Sequence, residues 1–366
     1  MTELLATNTP ELFDVAVKRA AELLRAGQLV ALPTETVYGL AANALDSVAV
    51  ARIFEAKGRP STNPIIVHVA SLEMARQCVA RWPRLADQLA RAFWPGPLTL
   101  VLERAAMIPD IVTAGGPTVG VRWSSHPFIQ AVIHACGFPL AAPSANPSNE
   151  ISPTTAHHVR HSLGRRIPLV VDGGPSHVGI ESTVLDLMST PPRLLRPGMI
   201  HADAIFAVLG VEQASCLLPK DSGLSTEPEA PGTGRPEVCP TRGGFAPPVA
   251  NVLRSPGMLK RHYAPKARLL ILQWRDEDDL KAQILQTGLV SSMGACHIIA
   301  HTSIPMPREF GRVAVVPREP LAFARAIYAE LHQCDASGAL VIVVEAPPEG
   351  EPWRAIADRL ARASAV

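Results

Sequence analysis

The strongest constraint on the fold is a repeated alternation of short apolar runs with longer amphipathic stretches. In the first half of the chain, apolar runs occupy residues 28–33, 65–69, 98–102, 118–121, 138–142, 168–171 and 183–187. Apolar residues at helical spacing are found at 9–27, 47–57, 83–93, 127–136 and 153–163. Short apolar runs are typical of buried strands, and helices between them cover a sheet. The pattern therefore predicts an α/β fold with a twisted, mixed sheet.

A second unit follows a break in this pattern. Residues from about 210 to 265 are rich in Pro and Gly, as in EPEAPGTGRP and GGFAPP, which is the composition of a linker. Beyond it, strands are predicted at 268–273, 297–301, 312–316 and 339–344, and helices at 277–286, 321–333 and 352–363. We expect an α/β domain at 1–207, a linker and lid at 208–265, and a smaller, Rossmann-like α/β domain at 266–366.

The balance of charge limits the partners of the chain. Its 366 residues carry 34 Lys and Arg against 33 Asp and Glu, a formal charge of +1. No global positive field recruits nucleic acid, although a local patch stays open. The sequence has no apolar run of about 18 residues and no leader pattern at its start, so we expect a cytoplasmic protein without membrane contact. Six cysteines without a CxxC pair disfavour a zinc site and a disulfide framework.

The common signatures of nucleotide and hydrolase sites are absent from the sequence. It contains no GxxxxGK[ST] loop, no GxGxxG between a strand and a helix, and no GxSxG. Polar residues cluster instead in loops that follow the apolar runs. In such a fold, loops of this kind present their side chains to a shared cleft.

Two polar clusters lie early in the chain. Thr34, Glu35 and Thr36 follow the first apolar run, and they either receive a polar ligand or cap the start of a helix. Lys57 and Arg59 flank the glycine that ends a predicted helix, and the prolines that follow stiffen their loop. An Arg fork and a Lys point charge suit a polyphosphate, while solvated compensation of the helix end is an equal alternative.

Three further clusters follow the later apolar runs. Ser144 and Asn146 stand between prolines, where they allow a ligand close to the backbone, although a tight turn uses the same residues. Ser152, followed by proline, is predicted to cap the next helix and to offer an anion site there. Ser182 and Arg196 border glycine-containing loops and suit the rim of a cleft.

The histidines give weaker signals. His157, His158 and His161 share a helical face, but no carboxylate or cysteine completes a metal set there, and surface histidines are the favoured interpretation. His68 lies in an apolar strand on the face of Ile66. A hydrogen-bonded core residue is its simpler interpretation, and a ligand contact is the alternative.

Taken in order, the loop motifs carry a resemblance to a known family. They are PTETVYGL at 33–40, KGRP at 57–60, NPIIVH at 63–68, WPGPLT at 94–99, TVGVR at 118–122, APSAN at 142–146, DGG at 172–174, EST at 181–183, LRPG at 195–198 and SPGMLKRHYAP at 255–265. With these motifs the sequence resembles the long, two-domain form of the YrdC-like family, the threonylcarbamoyl-AMP synthases. The end of the chain matches least well, because Asp358 stands before Arg359 where the family has Asn.

The resemblance implies an activity and a fold. The enzyme would form L-threonylcarbamoyl-AMP from L-threonine, bicarbonate or CO₂, and ATP, and release pyrophosphate. Mg²⁺ is expected to accompany the triphosphate. The product would supply the downstream tRNA threonylcarbamoyl transferase machinery for the t6A modification of adenosine 37, and direct tRNA binding is expected to be weak or absent. The implied fold is a YrdC-like twisted sheet with a concave, positively charged cleft.

The same resemblance assigns roles to loop residues. The catalytic set, which would hold the triphosphate, is Lys57, Arg59, Ser144 and Asn146. Further ATP contacts fall on Asn63, Thr118, Ser152, Arg196 and Tyr263. Contacts with L-threonine or its carbamate fall on Thr34, His68, Arg122 and Ser182. The Arg122 fork suits a carboxylate. No residue is assigned to a metal ion, and His262 with Tyr263 is expected to act as a lid over the cleft.

Two other functions remain as alternatives. One is an RNA-binding module with a basic concave surface, although the near balance of charge gives it little non-specific affinity. The other is a carbamoyl transferase of hydrogenase maturation, which shares the domain but adds acylphosphatase and cysteine-rich zinc segments that are not found in this sequence. The synthase is the favoured interpretation. The oligomeric state, the substrate order and the choice between bicarbonate and CO₂ stay open.

Overall fold

The computed structural model describes residues 2–210 and 262–365. Of the predicted linker and lid at 208–265, residues 211–261 lie outside the described ranges. Within those ranges the chain forms a large mixed sheet and a separate, smaller parallel sheet, each covered by helices. The predicted α/β class and its division into a large and a small sheet are confirmed. No helix in the described part of the chain is long and apolar enough to cross a membrane.

The large sheet is formed by ten strands of the first 200 residues. They are β1 (Glu3–Ala6), β2 (Val30–Leu32), β3 (Gly39–Asn43), β4 (Val67–Val69), β5 (Leu98–Glu103), β6 (Thr118–Trp123), β7 (Leu140–Ala141), β8 (Leu169–Asp172), β9 (Thr183–Asp186) and β10 (Arg193–Arg196). Their order is β1-β8-β2-β3-β7-β4-β6-β5-β9-β10. Parallel pairing of β4 with β6 sets His68 beside Arg122 in the middle of the sheet.

The helices of this part of the chain have ends that the sequence defines locally. They are α1 (Pro10–Arg25), α2 (Ser47–Lys57), α3 (Leu72–Gln77), α4 (Arg84–Phe93), α5 (Asp110–Thr113), α6 (Pro127–Cys136), α7 (Ala156–Leu163) and α8 (Ala202–Leu209). At the start of α2, the Asp46 side chain accepts the N–H groups of Val48 and Ala49. Gly58 ends the helix in the left-handed region, with φ at 59°. Lys57 is thereby fixed in the last turn of α2.

The core lies on both faces of the large sheet. Successive residues of a strand point to opposite faces. Ala31 and Leu40 accordingly pack in one hydrophobic cluster with residues of α2, α4 and α7, whereas Val30 and Leu32 pack in another with α1 and α6. The four described cysteines are free and buried, as predicted, and the other two lie outside the described residues.

One local prediction is wrong, and several elements were missed. Ser152 does not cap the helix that follows it. The helix α7 begins at Ala156, and Thr155 is the cap that accepts the His158 N–H. The Ser152 hydroxyl instead donates to Glu181 at 2.6 Å, a partner that local sequence does not indicate. The apolar patterns also missed β1, β3, β10, α3, α5 and α8.

The small sheet is entirely parallel. Its strands are β11 (Arg268–Leu272), β12 (Cys296–Ala300), β13 (Arg312–Val315) and β14 (Val341–Glu345), in the order β11-β14-β12-β13. The helices that connect and cover it are α9 (Glu277–Gln286), α10 (Pro320–Ala336) and α11 (Arg354–Ser364). Buried strands such as β14 are continuous apolar runs, as expected of a parallel sheet covered on both faces.

The two sheets are joined by a shared hydrophobic cluster. Val37, Ile151 and Ile180 from loops of the large sheet pack in the same cluster as residues of α10 and α11. Arg325 of α10 also donates its Nε–H to the carbonyl of His177 at 2.8 Å. The small-sheet unit is therefore docked on the loops that follow strands of the large sheet.

The backbone at Gly179 lies close to the backbone of α10. A Cβ atom at this position would lie 2.4 Å from the Ala324 carbonyl oxygen and 2.4 Å from the Arg325 Cα, and the φ angle is +87°. Gly174 has a similar φ of +78° with no atom within 4 Å of a Cβ. The two glycines therefore share the conformational requirement, but only Gly179 is confined by α10.

We expect Gly179→Ala to lower the urea midpoint of unfolding more than Gly174→Ala. Both variants strain a left-handed backbone, but only the first pushes α10 away from the large-sheet unit, at a cost of about 1–3 kcal/mol. Urea titration followed by tryptophan fluorescence measures the two midpoints. Equal losses would show that the close approach at α10 contributes nothing.

Candidate functional site

A cavity lies against β3, β4, β6 and β7, in the middle of the large sheet. The predicted site residues that line it are Thr34, Arg59, His68, Arg122, Ser144, Arg196 and Tyr263. They come from separate loops and strands and from the described end of the linker. The structure therefore brings together side chains from both predicted halves of the site.

The other predicted residues occupy two kinds of position. Lys57, Asn63, Asn146, Ser152 and Ser182 are buried behind the lining residues. Thr118 is not brought to this cavity, since it lines a smaller neighbouring one together with Ile66 and Gly120. The lining residues are therefore the ones that are placed to contact a ligand in this cavity directly.

Lys57 anchors the loop that carries Ser144. Its Nζ donates to the Ser144 carbonyl at 2.5 Å and to the Asn146 carbonyl, and it lies 3.4 Å from the Asn146 side-chain oxygen. Burial, with repulsion from Arg59, lowers the pKa of the Lys57 ammonium well below its usual value. A further bridge between Gly39 and Ser144 ties this loop to β3. Lys57 therefore fixes where Ser144 faces the cavity.

Arg59 is held by the proline-bracketed loop that follows α2. Its Nε donates to the Asn63 carbonyl at 3.0 Å, and its Nη2 donates to the Asn63 side chain at 2.7 Å and to the Pro64 carbonyl at 2.6 Å. Burial is the main reason that the pKa of Arg59 falls to about 9, and repulsion from Arg196 adds to it. Two guanidinium groups thus converge on one cavity.

A buried ion pair holds Arg122, which lines the cavity, while its partner Glu35 lies behind the lining residues. The Arg122 Nη2 lies 2.7 Å from the Glu35 Oε1, and the Arg122 Nη1 donates to the Thr36 hydroxyl at 3.0 Å. The Ser124 hydroxyl donates to the second Glu35 oxygen. Burial alone would raise the pKa of the Glu35 carboxyl, but the Arg122 charge and the hydrogen bonds lower it below its usual range. The pair fixes the plane of the Arg122 fork.

His68 stands beside this pair on β4. Burial, with repulsion from Arg122, lowers the pKa of its imidazole to about 3, so the ring is neutral at physiological pH. Its Nδ1 is buried and makes no hydrogen bond with any described residue. His68 lines the cavity, and a buried polar atom without a partner is able to bind a polar ligand group. The ligand contact of His68 stays a prediction, which the unpaired Nδ1 supports.

The Thr34 loop is a turn between two strands and not a helix start. The Thr34 hydroxyl donates to the Val37 carbonyl at 2.5 Å and lies 3.3 Å from the backbone nitrogens of Thr36 and Val37. These bonds satisfy the backbone between β2 and β3. The helix-cap alternative is wrong because the apolar residues that follow continue as a strand.

Arg196 and Ser182 form one hydrogen-bonded unit. The Arg196 Nε donates to the Ser182 carbonyl at 3.0 Å, and its Nη2 donates to the Ser182 hydroxyl at 3.0 Å. The same hydroxyl lies 2.8 Å from the Thr99 hydroxyl. Ser182 thus orients the Arg196 guanidinium along the edge of the cavity.

Sequence reasoning missed the contacts around Glu181. This carboxylate lines the cavity and accepts hydrogen bonds from the Ser152 hydroxyl, from the Arg359 Nε at 2.7 Å and from the Tyr328 hydroxyl at 3.2 Å. Burial alone would raise its pKa, but the charges of Arg359 and Arg196 lower it below its usual range. In the sequence, Glu181 belongs to the EST motif and Arg359 to the Asp-Arg pair near the end of the chain. Neither motif indicates that the two residues are in contact.

The described end of the linker reaches the same cavity. Tyr263 has a φ of +62°, its ring lies under the Arg359 guanidinium at 5.2 Å, and it stacks on Tyr328 at 6.1 Å. His262 donates its backbone N–H to the Arg362 carbonyl at 3.2 Å. Burial lowers the pKa of the His262 ring to about 3. Both residues line the cavity, and the lid predicted for 208–265 stays a prediction, since residues 211–261 are outside the described ranges.

The histidine cluster on α7 lies at the interface between the two units. His158 stacks on His332 of α10, with the ring centroids 4.0 Å apart. His157 and His161 are exposed on α7. Within residues 2–210 and 262–365, no group of three or more His, Cys, Asp or Glu side chains could hold a metal ion.

Comparisons with known proteins identify the family. Residues 22–198 match the Sua5/YciO/YrdC family, described as telomere recombination, and residues 203–365 match the threonylcarbamoyl-AMP synthase C-terminal domain. The threonylcarbamoyl-AMP synthase of Pyrococcus abyssi is 38% identical over 349 residues, which cover 95% of this chain and 94% of that protein. The Bacillus subtilis enzyme of the same name is 43% identical over 278 residues, which cover 76% of this chain and 71% of that protein.

A solved structure supports the same conclusion. The alignment with the crystal structure of P. abyssi Sua5 complexed with L-threonine covers 100% of this chain and 97% of that chain. Its TM-score is 0.82, and the sequence identity is 35%. These similarities support the synthase and not the RNA-binding module. The chain therefore belongs to the threonylcarbamoyl-AMP synthase family.

Proposed function

We propose that this chain condenses L-threonine, bicarbonate or CO₂, and ATP to L-threonylcarbamoyl-AMP and pyrophosphate. The observation that carries the proposal is the convergence of Arg59, Arg122 and Arg196 on one cavity within the large sheet. Two of the substrates are anions, and buried guanidinium groups bind carboxylates and phosphates through paired hydrogen bonds. The solved relative with bound L-threonine supports the amino-acid part of the assignment.

The phosphates of ATP are assigned to the side of the cavity formed by Arg59, Ser144 and Arg196. Lys57 and Asn146 place the Ser144 loop, and Asn63 places the Arg59 fork. The remaining predicted ATP contacts are Thr118, Ser152 and Tyr263. Of these, Tyr263 lines the cavity, Ser152 acts through Glu181, and Thr118 lines the neighbouring cavity.

L-Threonine is assigned to the side formed by Thr34, His68 and Arg122, with Ser182 behind the lining. The Arg122 fork, fixed by Glu35, would bind the threonine carboxylate. The neutral His68 has an unpaired Nδ1 for a polar group of the substrate. A charged group, Arg122, and a neutral one, His68, together suit a molecule that has one carboxylate and one hydroxyl.

The chemistry needs positioning more than an enzyme nucleophile. The threonine nitrogen attacks the carbon of CO₂ and loses a proton, which gives a carbamate. A carbamate oxygen then attacks the α-phosphorus, and the bond to the bridging oxygen breaks so that pyrophosphate leaves with the electron pair. The second step brings two anions together, the carbamate and the triphosphate, so fixed cations in a dry site lower its barrier.

Mg²⁺ is proposed to arrive with ATP as part of the substrate. This ion prefers oxygen ligands and keeps much of its shell as water and phosphate, so it requires few protein ligands. It would offset the negative charge of the triphosphate beside Arg59 and Arg196.

We further propose that residues 1–207 carry out the reaction and that residues 208–265 and 266–366 cover the site. In this proposal the protein is cytoplasmic, supplies the tRNA threonylcarbamoyl transferase machinery, and binds tRNA weakly or not at all.

The first prediction concerns the product. Mixing the protein with ATP, Mg²⁺, bicarbonate and L-threonine is expected to yield threonylcarbamoyl-AMP and pyrophosphate, both detected by mass spectrometry. L-Serine in place of L-threonine and omission of bicarbonate are the controls. Pyrophosphate release that does not depend on threonine, or no adenylate at all, would remove the proposed function.

The second prediction concerns the phosphate side. Arg59→Ala is expected to lower the rate of pyrophosphate release by at least about tenfold, equivalent to roughly 1.36 kcal/mol in the barrier. Lys57→Ala is expected to do the same, because the Ser144 loop loses its anchor. Arg81→Ala is the matched control, since its side chain is 88% exposed. Unchanged turnover in the first variant would exclude Arg59 from the site.

The third prediction separates the two substrates. Ser144→Ala is expected to weaken ATP binding by about three- to tenfold and to leave L-threonine binding nearly unchanged, because the lost hydroxyl lies on the phosphate side. Isothermal titration with each substrate alone gives the two affinities. A larger loss for threonine would reverse the assignment of the two ends of the cavity.

A further inference from the structure

The charges that line the cavity are unequal at its two ends. Arg122 is directly paired with Glu35, which lies behind it. On the proposed phosphate side, Arg59 donates to carbonyl oxygens of the protein, and Arg196 donates to the Ser182 carbonyl and interacts electrostatically with Glu181. Of the described residues that line the cavity, Glu181 alone carries a carboxylate. Its negative charge stands where the proposed function places phosphates.

The carboxylate of Glu181 is neutralised from the small-sheet unit. Arg359, on α11, places its Nε 2.7 Å from the Glu181 Oε2. The side chains of Arg359 and Glu181 are 1% and 9% exposed, so water screens this pair very little. The Arg359 Nη2 also donates to the Pro197 carbonyl at 2.9 Å, next to Arg196 in the chain. Arg359 itself does not line the cavity.

Three donors fix the direction of the Glu181 carboxylate. Ser152 binds Oε1, while Tyr328 and Arg359 bind Oε2. The Arg359 guanidinium also lies over the ring of Tyr263, which lines the cavity. One buried guanidinium therefore contacts both a charged and an aromatic lining residue, and it does so from a different folded unit.

We propose that Arg359 is a positioning residue for ATP, which holds and neutralises Glu181 so that the phosphate side of the cavity keeps its positive charge. This inference rests on the proposed function, because it places the phosphates beside Glu181. Removing one partner of a buried ion pair leaves the other charge uncompensated. Without Arg359, the Glu181 carboxylate would repel the phosphates and attract the cations that should bind them.

The experiment uses the full chain and four variants. Arg359→Met keeps an unbranched but shorter side chain and removes the charge. Arg359→Lys keeps the charge without the fork, and the double variant E181Q/R359M removes both charges. Arg354→Met, at the start of the same helix, is the control, since Arg354 is partly exposed and pairs with Glu351. Isothermal titration measures ATP with Mg²⁺ and L-threonine separately, and steady-state kinetics gives KM for both.

The expected results separate a charge effect from a packing effect. Arg359→Met is expected to weaken ATP binding by at least about tenfold and threonine binding by less than about threefold, because threonine lies at the Glu35 end. Arg359→Lys is expected to lie between Arg359→Met and the unaltered protein. The double variant is expected to regain ATP affinity to within about threefold of the unaltered protein, since an amide in place of the Glu181 carboxylate carries no charge.

Other outcomes would overturn the inference. ATP affinity unchanged in Arg359→Met, or a double variant no better than that single variant, would show that Arg359 acts only through packing. If Arg359→Met does not fold, the double variant decides. It lacks the unpaired Glu181 charge and is therefore expected to fold and to bind ATP. Failure of the double variant to fold or to bind ATP would contradict the inference. Absence of ATP binding by the unaltered protein would instead remove the proposed function.

Discussion

Burial of positive charge is the constraint on which the site depends. Lys57, Arg59, Arg122 and Arg196 are each less than a tenth exposed, and a cation in such surroundings is stable only where oxygen atoms face it. Lys57 and Arg59 bind carbonyl oxygens, which carry partial charges, whereas Arg122 has the full charge of Glu35. A cation held by carbonyl groups keeps most of its charge for a ligand. This contrast is the reason for proposing the triphosphate at the end of the cavity near Arg59.

The docking of the small-sheet unit follows from the same loops. Val37 and Ile180 lie in loops that border the cavity, and they pack in the hydrophobic cluster of α10 and α11. Gly179 allows α10 to approach the backbone there. Packing of apolar side chains and positioning of site residues thus depend on the same short segments. A change in the interface therefore acts on segments that also border the cavity.

Much of the fold could be predicted because its elements have local signals. Predicted helices at 47–57 and 277–286 coincide with α2 and α9, since apolar spacing and capping residues define them. Strand order could not be predicted, because it depends on pairing between distant segments, and β7 has only two residues to show a pattern. Ser152 was assigned to the wrong structure for the same reason. Its partner, Glu181, lies 29 residues away.

A site residue could be predicted where its hydrogen-bond partner lies in the same loop. Arg59 and Asn63 are such a case. Glu181 and Arg359 are 178 residues apart, and their contact forms only when the two units dock. In the sequence alone, neither residue differs from an ordinary charged residue. Under the proposed roles, the Glu35–Arg122 pair completes the threonine end within the large sheet. On the proposed phosphate side, Arg196 lies on the edge strand β10, and Arg359 of α11 binds the carbonyl of the next residue, Pro197. If the proposed roles hold, ATP binding, and not threonine binding, depends on the second unit.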